Sequence, residues 1–198
     1  MFGIYITHPE VTIDPDVPVP RWGLSDRGRL RAYLAADAGW AAKLGRILSS
    51  DETKAQETAA ILARPAGLTV ETLPHSGEND RSATGFLAPP AFEAAADRFF
   101  AEPHVSHGGW ETAADAQSRI ATAVGKTLDA HDPALPIAFV GHGGVGTLLF
   151  CYLSNIPISR IHDQGPGGGG NLFVFSLADR RPLCNWTRIE DWQGWTNG

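Results

Sequence analysis

The chain has 198 residues, enough for one compact domain with a sizeable core. Hydrophobic residues make up 43% and charged residues 19%, which excludes a disordered chain, and a net charge of −6 without a Lys/Arg run argues against nucleic-acid and anionic-membrane partners. No apolar stretch approaches a membrane span, the amino terminus lacks a secretory pattern, and Cys151 and Cys184 sit apart in apolar segments as free thiols, which fits a cytoplasmic protein.

Residues 2 to 7 read as a buried strand that ends at His8. Residues 11 to 24 hold three prolines and no helical period, so they form a loop. Ser25 caps a helix with Leu30, Leu34 and Ala38 on one face. Residues 46 to 49 suggest a second strand, and Ser50 or Asp51 caps a helix in which Ala55, Ala59 and Leu62 recur at helical spacing. Residues 68 to 73 suggest a third strand, and a polar, turn-rich segment covers 74 to 90. Helical patterns return at 91 to 101 and at 111 to 130, where Ile120, Val124 and Leu128 align. A strand at 137 to 141 feeds a helix over 144 to 153, and a glycine-rich run at 165 to 170 leads to strands at 172 to 176 and 183 to 189. This alternation predicts an α/β fold with a mostly parallel sheet, as a single domain over 1 to 198 with loop or cap segments at about 11 to 24 and 74 to 112.

Four features carry chemistry. Thr7-His8-Pro9-Glu10 closes the first strand and Gly141-His142-Gly143-Gly144-Val145-Gly146 closes a later one. Chemistry in open α/β sheets gathers at carboxyl strand ends, so two imidazoles there can share a site, although a packed or solvated His is the commoner outcome for either alone. Ser49 to Ala59 places a strand end before a helix amino terminus, which favours anions; Lys54 in the first turn opposes the helix dipole unless an anion offsets it. Gly77-Glu78-Asn79-Asp80-Arg81 is either a solvated charged turn or the seat of a proton donor, Glu78, beside an anion. The second His segment also matches G-x-G-x-x-G, with Asp163 about twenty residues on, but no second strand of a dinucleotide unit follows. It resembles a nucleophile elbow with His in place of Ser, which removes that nucleophile. The run at 165 to 170 lacks Gly-Lys-Ser/Thr and is no P-loop, and His8, His142 and Glu78 show no close-spaced metal-ligand pair.

Together and in order, these segments resemble the histidine phosphatase superfamily, phosphoglycerate-mutase-like branch. The family's Arg-His-Gly-Glu corresponds to Thr7-His8-Pro9-Glu10, its Leu-Thr-x-x-Gly to Leu24-Ser25-Asp26-Arg27-Gly28, and its Ser-Ser-Pro-x-x-Arg-Ala-x-Gln-Thr-Ala to Ser49 through Ala59. Gly109-Trp110-Glu111-Thr112 is similar to its Gly-Glu-Ser segment, and 140 to 145 to its second His motif. The resemblance implies a three-layer α/β/α sandwich and a two-step phosphoryl transfer. His8 would take the phosphoryl group, His142 would steady its oxygens, and Glu78 would protonate the leaving oxygen and then activate water. Lys54 would stand at the family's Arg position, with Thr7, Glu10, Arg21, Arg81 and Gly143 around the substrate. No metal or cofactor is implied; the partner would be a small-molecule phosphoester, with a homodimer left open. Without a long insertion to serve as a lid, hydrolysis is expected rather than mutase chemistry.

The departures bear on charge. Thr7 and Lys54 replace Arg, Pro9 replaces Gly and loses a backbone donor, and Asp14 stands where many relatives have Asn. Each lost charged hydrogen bond costs about 1.5–3 kcal/mol. Three readings stay open: Arg21 or Arg81 restores the charge in a working phosphatase; the chain binds a ligand or partner without turnover; or the pocket takes a less charged ester such as a diester. Trp22, Phe86, Phe99, Phe100 and Trp110 either line the substrate pocket or pack the cap, while Trp186, Trp192 and Trp195 suit the core or an oligomer contact.

Overall fold

The computed structural model describes residues 1–194. One six-stranded sheet is built from β1 (Phe2–Thr7), β2 (Arg46–Ser49), β3 (Glu71–Thr72), β4 (Ile137–Gly141), β5 (Asn171–Ser176) and β6 (Thr187–Arg188), in the spatial order β3-β2-β4-β1-β5-β6. The pairs β3–β2, β2–β4 and β4–β1 are parallel; β1–β5 and β5–β6 are antiparallel. The helices are α1 (Asp26–Asp37), α2 (Thr53–Ala63), α3 (Pro89–Ala101), α4 (Ala113–Asp129) and α5 (Gly143–Ser154). The expected α/β fold with a mostly parallel sheet is therefore present.

The central strands are apolar on both faces because each face meets helices. Ile4, Ile6, Ile47, Val140 and Val174 pack with alanines and Leu62 of α1 and α2. Tyr5, Leu48, Phe139, Phe173 and Phe175 pack on the other side, with Phe99 and Phe100 of α3, Ile120 and Val124 of α4, and Leu148 and Leu149 of α5. This gives three layers and two cores. Trp186 joins the second core, its ring centroid 4.9 Å from that of Phe173, and Trp192 lies 5.2 Å from Trp40 by the same measure. Trp195 lies outside the described residues.

Local expectations are refined at several places. Ser25 caps α1 by accepting from Gly28 N at 3.0 Å. The Leu30 and Leu34 face of α1 points outward, whereas Gly28, Arg31, Ala32, Ala35 and Ala36 are buried. Small side chains let the helix approach the sheet closely, and that advantage outweighs the leucine period. The cap position of α2 is Glu52, not Ser50 or Asp51, because the Ser50 hydroxyl is turned toward His142. The expected strand at 68 to 73 shortens to the two residues that pair with β2, and that at 183 to 189 to the two that pair with β5.

Arg31 ties the glycine-rich loop to this frame. Its guanidinium donates to Gly169 O and Gly170 O, each at 2.8 Å, and to the Glu190 carboxylate at 2.7 Å. Gly170 N in turn donates to His8 O at 2.9 Å. Gly169 has φ +77°, and a Cβ there would stand 2.2 Å from His8 O, so the loop approaches His8 only as glycine. Arg31→Met should destabilise the protein by about 3–5 kcal/mol, since it leaves a largely buried carboxylate and two carbonyls without their donor. Urea denaturation checks this; a change below about 1 kcal/mol would contradict the pinning role.

Candidate active site

Parallel pairing of β1 with β4 sets Thr7 beside Gly141, and His8 N donates to Gly141 O at 3.0 Å. Both strands thus deliver their histidines to one edge of the sheet. The imidazole centroids stand 5.3 Å apart, inclined at 68°. Pro9 O lies 2.8 Å from His8 Nδ1 and can only accept, so Nδ1 carries the proton and Nε2 keeps its lone pair. Burial pushes the His8 pKa down to about 3, reinforced by His142 and Lys54. His8 is therefore a neutral imidazole with a fixed tautomer.

His142 is wholly buried. The Tyr5 hydroxyl accepts from His142 N and donates to His142 O, both at 3.1 Å, which clamps its backbone. Nε2 faces Ser50 Oγ at 2.8 Å and Glu52 Oε1 at 3.3 Å. Its Nδ1 has no partner among the described residues. Burial lowers its pKa, while Glu52 and Glu78 oppose that shift.

Glu78 reaches the amino terminus of α5. Val145 N donates to its Oε1 at 2.9 Å and Gly144 N to its Oε2 at 3.1 Å. A Cβ on Gly144 would lie 2.7 Å from Glu78 Oε1, so glycine makes this approach possible. The helix terminus, a natural anion seat, is thus filled by a resident carboxylate. Beside it a cavity of about 230 Å³ is lined by His8, Glu78, Asn79, Arg81, Gly143, Gly144 and the rings of Phe92, Phe99, Phe100 and Trp110. Trp22 and Phe86 instead meet each other, centroids 5.7 Å apart, where the two cap loops touch.

The other expected residues scatter around this centre. The buried Thr7 hydroxyl donates to Gln164 Oε1 at 2.6 Å and accepts from Asn171 N at 3.0 Å, joining strand to strand. Glu10 accepts from Ser25 Oγ at 2.8 Å and from Arg27 at 3.3 Å. Lys54, only 3% exposed, donates to Glu52 Oε2 and to Val19 O. Arg21 is exposed at the end of a short 3-10 turn, and Asp14 is exposed and accepts from Asp16 N. Arg81 lies over the Phe92 ring at 4.9 Å from its centroid. His8, Glu78, Arg81 and Gly143 therefore share the cavity wall; Thr7, Glu10, Lys54 and Arg21 are not part of it among the described residues.

Sequence reasoning gave four groups no role in this site. Glu52 is buried and bridges His142 and Lys54. Burial alone would raise its pKa, but His142 and Lys54 outweigh that and hold the carboxyl at about 2. Asn79 is buried, and its Nδ2 has no acceptor among the described residues. Gln164 bonds Thr7, and its Nε2 would lie 2.4 Å from a Cβ on Gly143. Asp163 lines the cavity, accepts from Thr147 Oγ1 at 3.0 Å and is raised in pKa by burial. Glu52 alone had a sequence signal, as a carboxylate two residues before Lys54 in a strand-to-helix turn.

The family model of the histidine phosphatase superfamily (branch 1) matches residues 12–187, and the chain belongs to that family. The match begins just after the Thr7-His8-Pro9-Glu10 segment. Among solved structures, a mycobacterial glucosyl-3-phosphoglycerate phosphatase with inorganic phosphate is 21% identical, with TM-score 0.77 over 96% of this chain and 98% of that one. Bacillus stearothermophilus YhfR is 20% identical, with TM-score 0.75 over 88% of this chain and 90% of that one. A candidate alpha-ribazole-5'-P phosphatase of Escherichia coli K-12 is 17% identical, with TM-score 0.74 over 98% of each chain. No curated protein matches the chain at a significant level. These likenesses carry the fold. Among the described residues no helix is long and apolar enough to cross a membrane.

Half-buried His8 and buried Glu52 make acid sensitivity predictable. An unfolded imidazole protonates near pH 6.5, whereas His8 resists until about 3, so the unfolded chain binds more protons in between and stability is lost as pH drops through that window. Glu52, held at about 2, adds stability above the unfolded value of 4.5 that is lost as pH falls toward 2. Urea midpoints should drop from about pH 7 to pH 5, and His8 ring resonances should not titrate between about pH 5 and 8. A His8 titration centred near 6.5 would contradict the neutral state.

Proposed function

We propose that the chain is a metal-independent phosphoric ester hydrolase that works through a phosphohistidine at His8 on a small phosphorylated metabolite. The observation that carries this reading is the neutral, tautomer-fixed His8, whose Nε2 makes no hydrogen bond among the described residues while the ring lines a cavity shared with Glu78. Family membership and phosphatases among the structural neighbours support the same chemistry.

In the first step His8 Nε2 forms a bond to phosphorus as the P–O bond to the leaving group breaks, and Glu78 gives its proton to the departing oxygen. In the second, water attacks phosphorus, Glu78 takes its proton, and the P–N bond breaks to release the phosphate and restore His8. The first step uses the acid form of Glu78 and the second regenerates it. His142, with Nδ1 unpartnered among the described residues, donates to a phosphoryl oxygen once protonated, and Glu52 stabilises that charge. Arg81 and the aromatic wall contact the leaving group. The substrate is a soluble small molecule, in keeping with the acidic surface.

A second reading, a binder without turnover, is favoured by one observation: Lys54 is committed to Glu52 and Val19 O rather than to the cavity. A phosphate-ester panel separates the two. Turnover should vanish in His8→Ala, and Glu78→Gln should lower kcat about 10²–10⁴-fold. Acid-labile, base-stable label on His8 after a quench marks the intermediate. Absence of both turnover and label across the panel would establish the binder.

A further inference from the structure

The groups that could neutralise a bound phosphoryl group are largely engaged already. Lys54 Nζ is bonded to Glu52 and Val19 O. The amides of Gly144 and Val145 in the first turn of α5 hold Glu78, and the Thr7 hydroxyl is spent on Gln164 and Asn171. The cap position of α2 carries Glu52, whose Oε1 accepts from Glu78 N at 2.9 Å while facing His142, so the carboxylate is locked in place. Glu52 and Glu78 stand with Lys54 and Arg81 around the two imidazoles, and the other charged side chains on the cavity wall, Arg160 and Asp163, are engaged with Glu93 and Asp97 and with Thr147. Donors without a hydrogen-bond partner among the described residues include His142 Nδ1, the Arg81 guanidinium, which lies over the Phe92 ring, and the Nδ2 of Asn79, a residue only 7% exposed. Asn79 lies in the wall between the cavity beside His8 and an adjoining one, of about 390 Å³, that Glu52 also lines.

We propose that this pocket accepts a phosphoryl group bearing one negative charge, that Glu52 sets the limit, and that the Asn79 amide donates to one of its oxygens. The proposal rests on the placement of the phosphoryl group beside His8. A neutral amide can satisfy a phosphoryl oxygen without adding charge; with Glu78 carrying the proton it needs for the first step, a monoanion leaves the half-enclosed site near neutral, whereas a dianion leaves about one uncompensated negative charge beside Glu52. Two sources meet the requirement: a phosphodiester, singly charged at any working pH, or a monoester in its protonated form below about pH 6. With a diester the balance is unchanged. One P–O bond breaks, Glu78 protonates that oxygen, and water releases a monoester from His8.

Calorimetric binding of dimethyl phosphate and methyl phosphate to the wild-type protein at about pH 8 and pH 5 tests the proposal, because dimethyl phosphate holds one charge throughout and corrects for any change in the protein itself. At the higher pH dimethyl phosphate should bind about tenfold or more tightly than methyl phosphate, and the gap should close at the lower pH. Glu52→Gln should shift the ratio about tenfold toward the dianion, and Asn79→Ala should weaken both ligands alike. Thermal melts establish that the variants fold; the wild-type comparison needs neither. Preference of the wild type for methyl phosphate at the higher pH, or an unchanged ratio in folded Glu52→Gln, overturns the charge limit and leaves the phosphohistidine reading standing. Failure of both ligands to bind refutes the phosphoryl seat itself. Turnover of p-nitrophenyl methyl phosphate against p-nitrophenyl phosphate then identifies the source: diester cleavage at both pH values, or monoester cleavage confined to acid.

Discussion

The hydrogen-bonded register between β1 and β4 is the constraint on which the site depends. The residues concerned are more than 130 positions apart, yet Thr7 beside Gly141 places two imidazoles 5.3 Å apart. At that spacing two protonated rings would repel by about 3 kcal/mol at an effective dielectric constant near 20, so the pair accommodates one charge far more readily than two. The structure breaks the symmetry. Pro9 O fixes the proton of His8 on Nδ1, whereas Glu52 faces His142 and favours charge there. One ring is left as a nucleophile and the other as the natural holder of a proton.

That division is maintained by packing some distance from the chemistry. Tyr5, buried in the second core, spends its hydroxyl on the backbone of His142, so the core itself aims the ring. Arg31, from the opposite layer, holds the glycine-rich loop against His8 O. One side chain of the sheet and one of a flanking helix therefore position one histidine each. Two buried polar side chains do this without an uncompensated group, consistent with the cost of leaving such groups unpaired.

The charge inventory distinguishes this pocket from one designed around arginines. Arg offers a planar fork that can reach a phosphate while holding other partners; Lys offers a point charge, and here Glu52 takes it. Because Pro9 supplies no N–H and Thr7 no charge, the remaining recognition falls to neutral donors, Arg81 and aromatic walls. An aromatic wall contributes contact area rather than electrostatic pull, so it selects the leaving group more than the phosphoryl group.

The apolar runs that became β1, β4 and β5, the α2, α4 and α5 periods, and the ordered motifs around His8, Ser49 to Ala59, Glu78 and His142 were legible in the amino-acid order, because strand and helix periodicities and strand-end chemistry are local properties. So were the departures at Thr7 and Lys54. The inward face of α1 was not, since close packing of alanines against a sheet depends on what lies opposite, nor was the truncation of the edge strands, which ends where their partners end. The roles of Glu52 and Asn79 were equally hidden. Whether a carboxylate is a solvated cap or a buried counter-ion, and whether an amide finds a partner, is fixed only when segments distant in sequence converge and exclude water from between them.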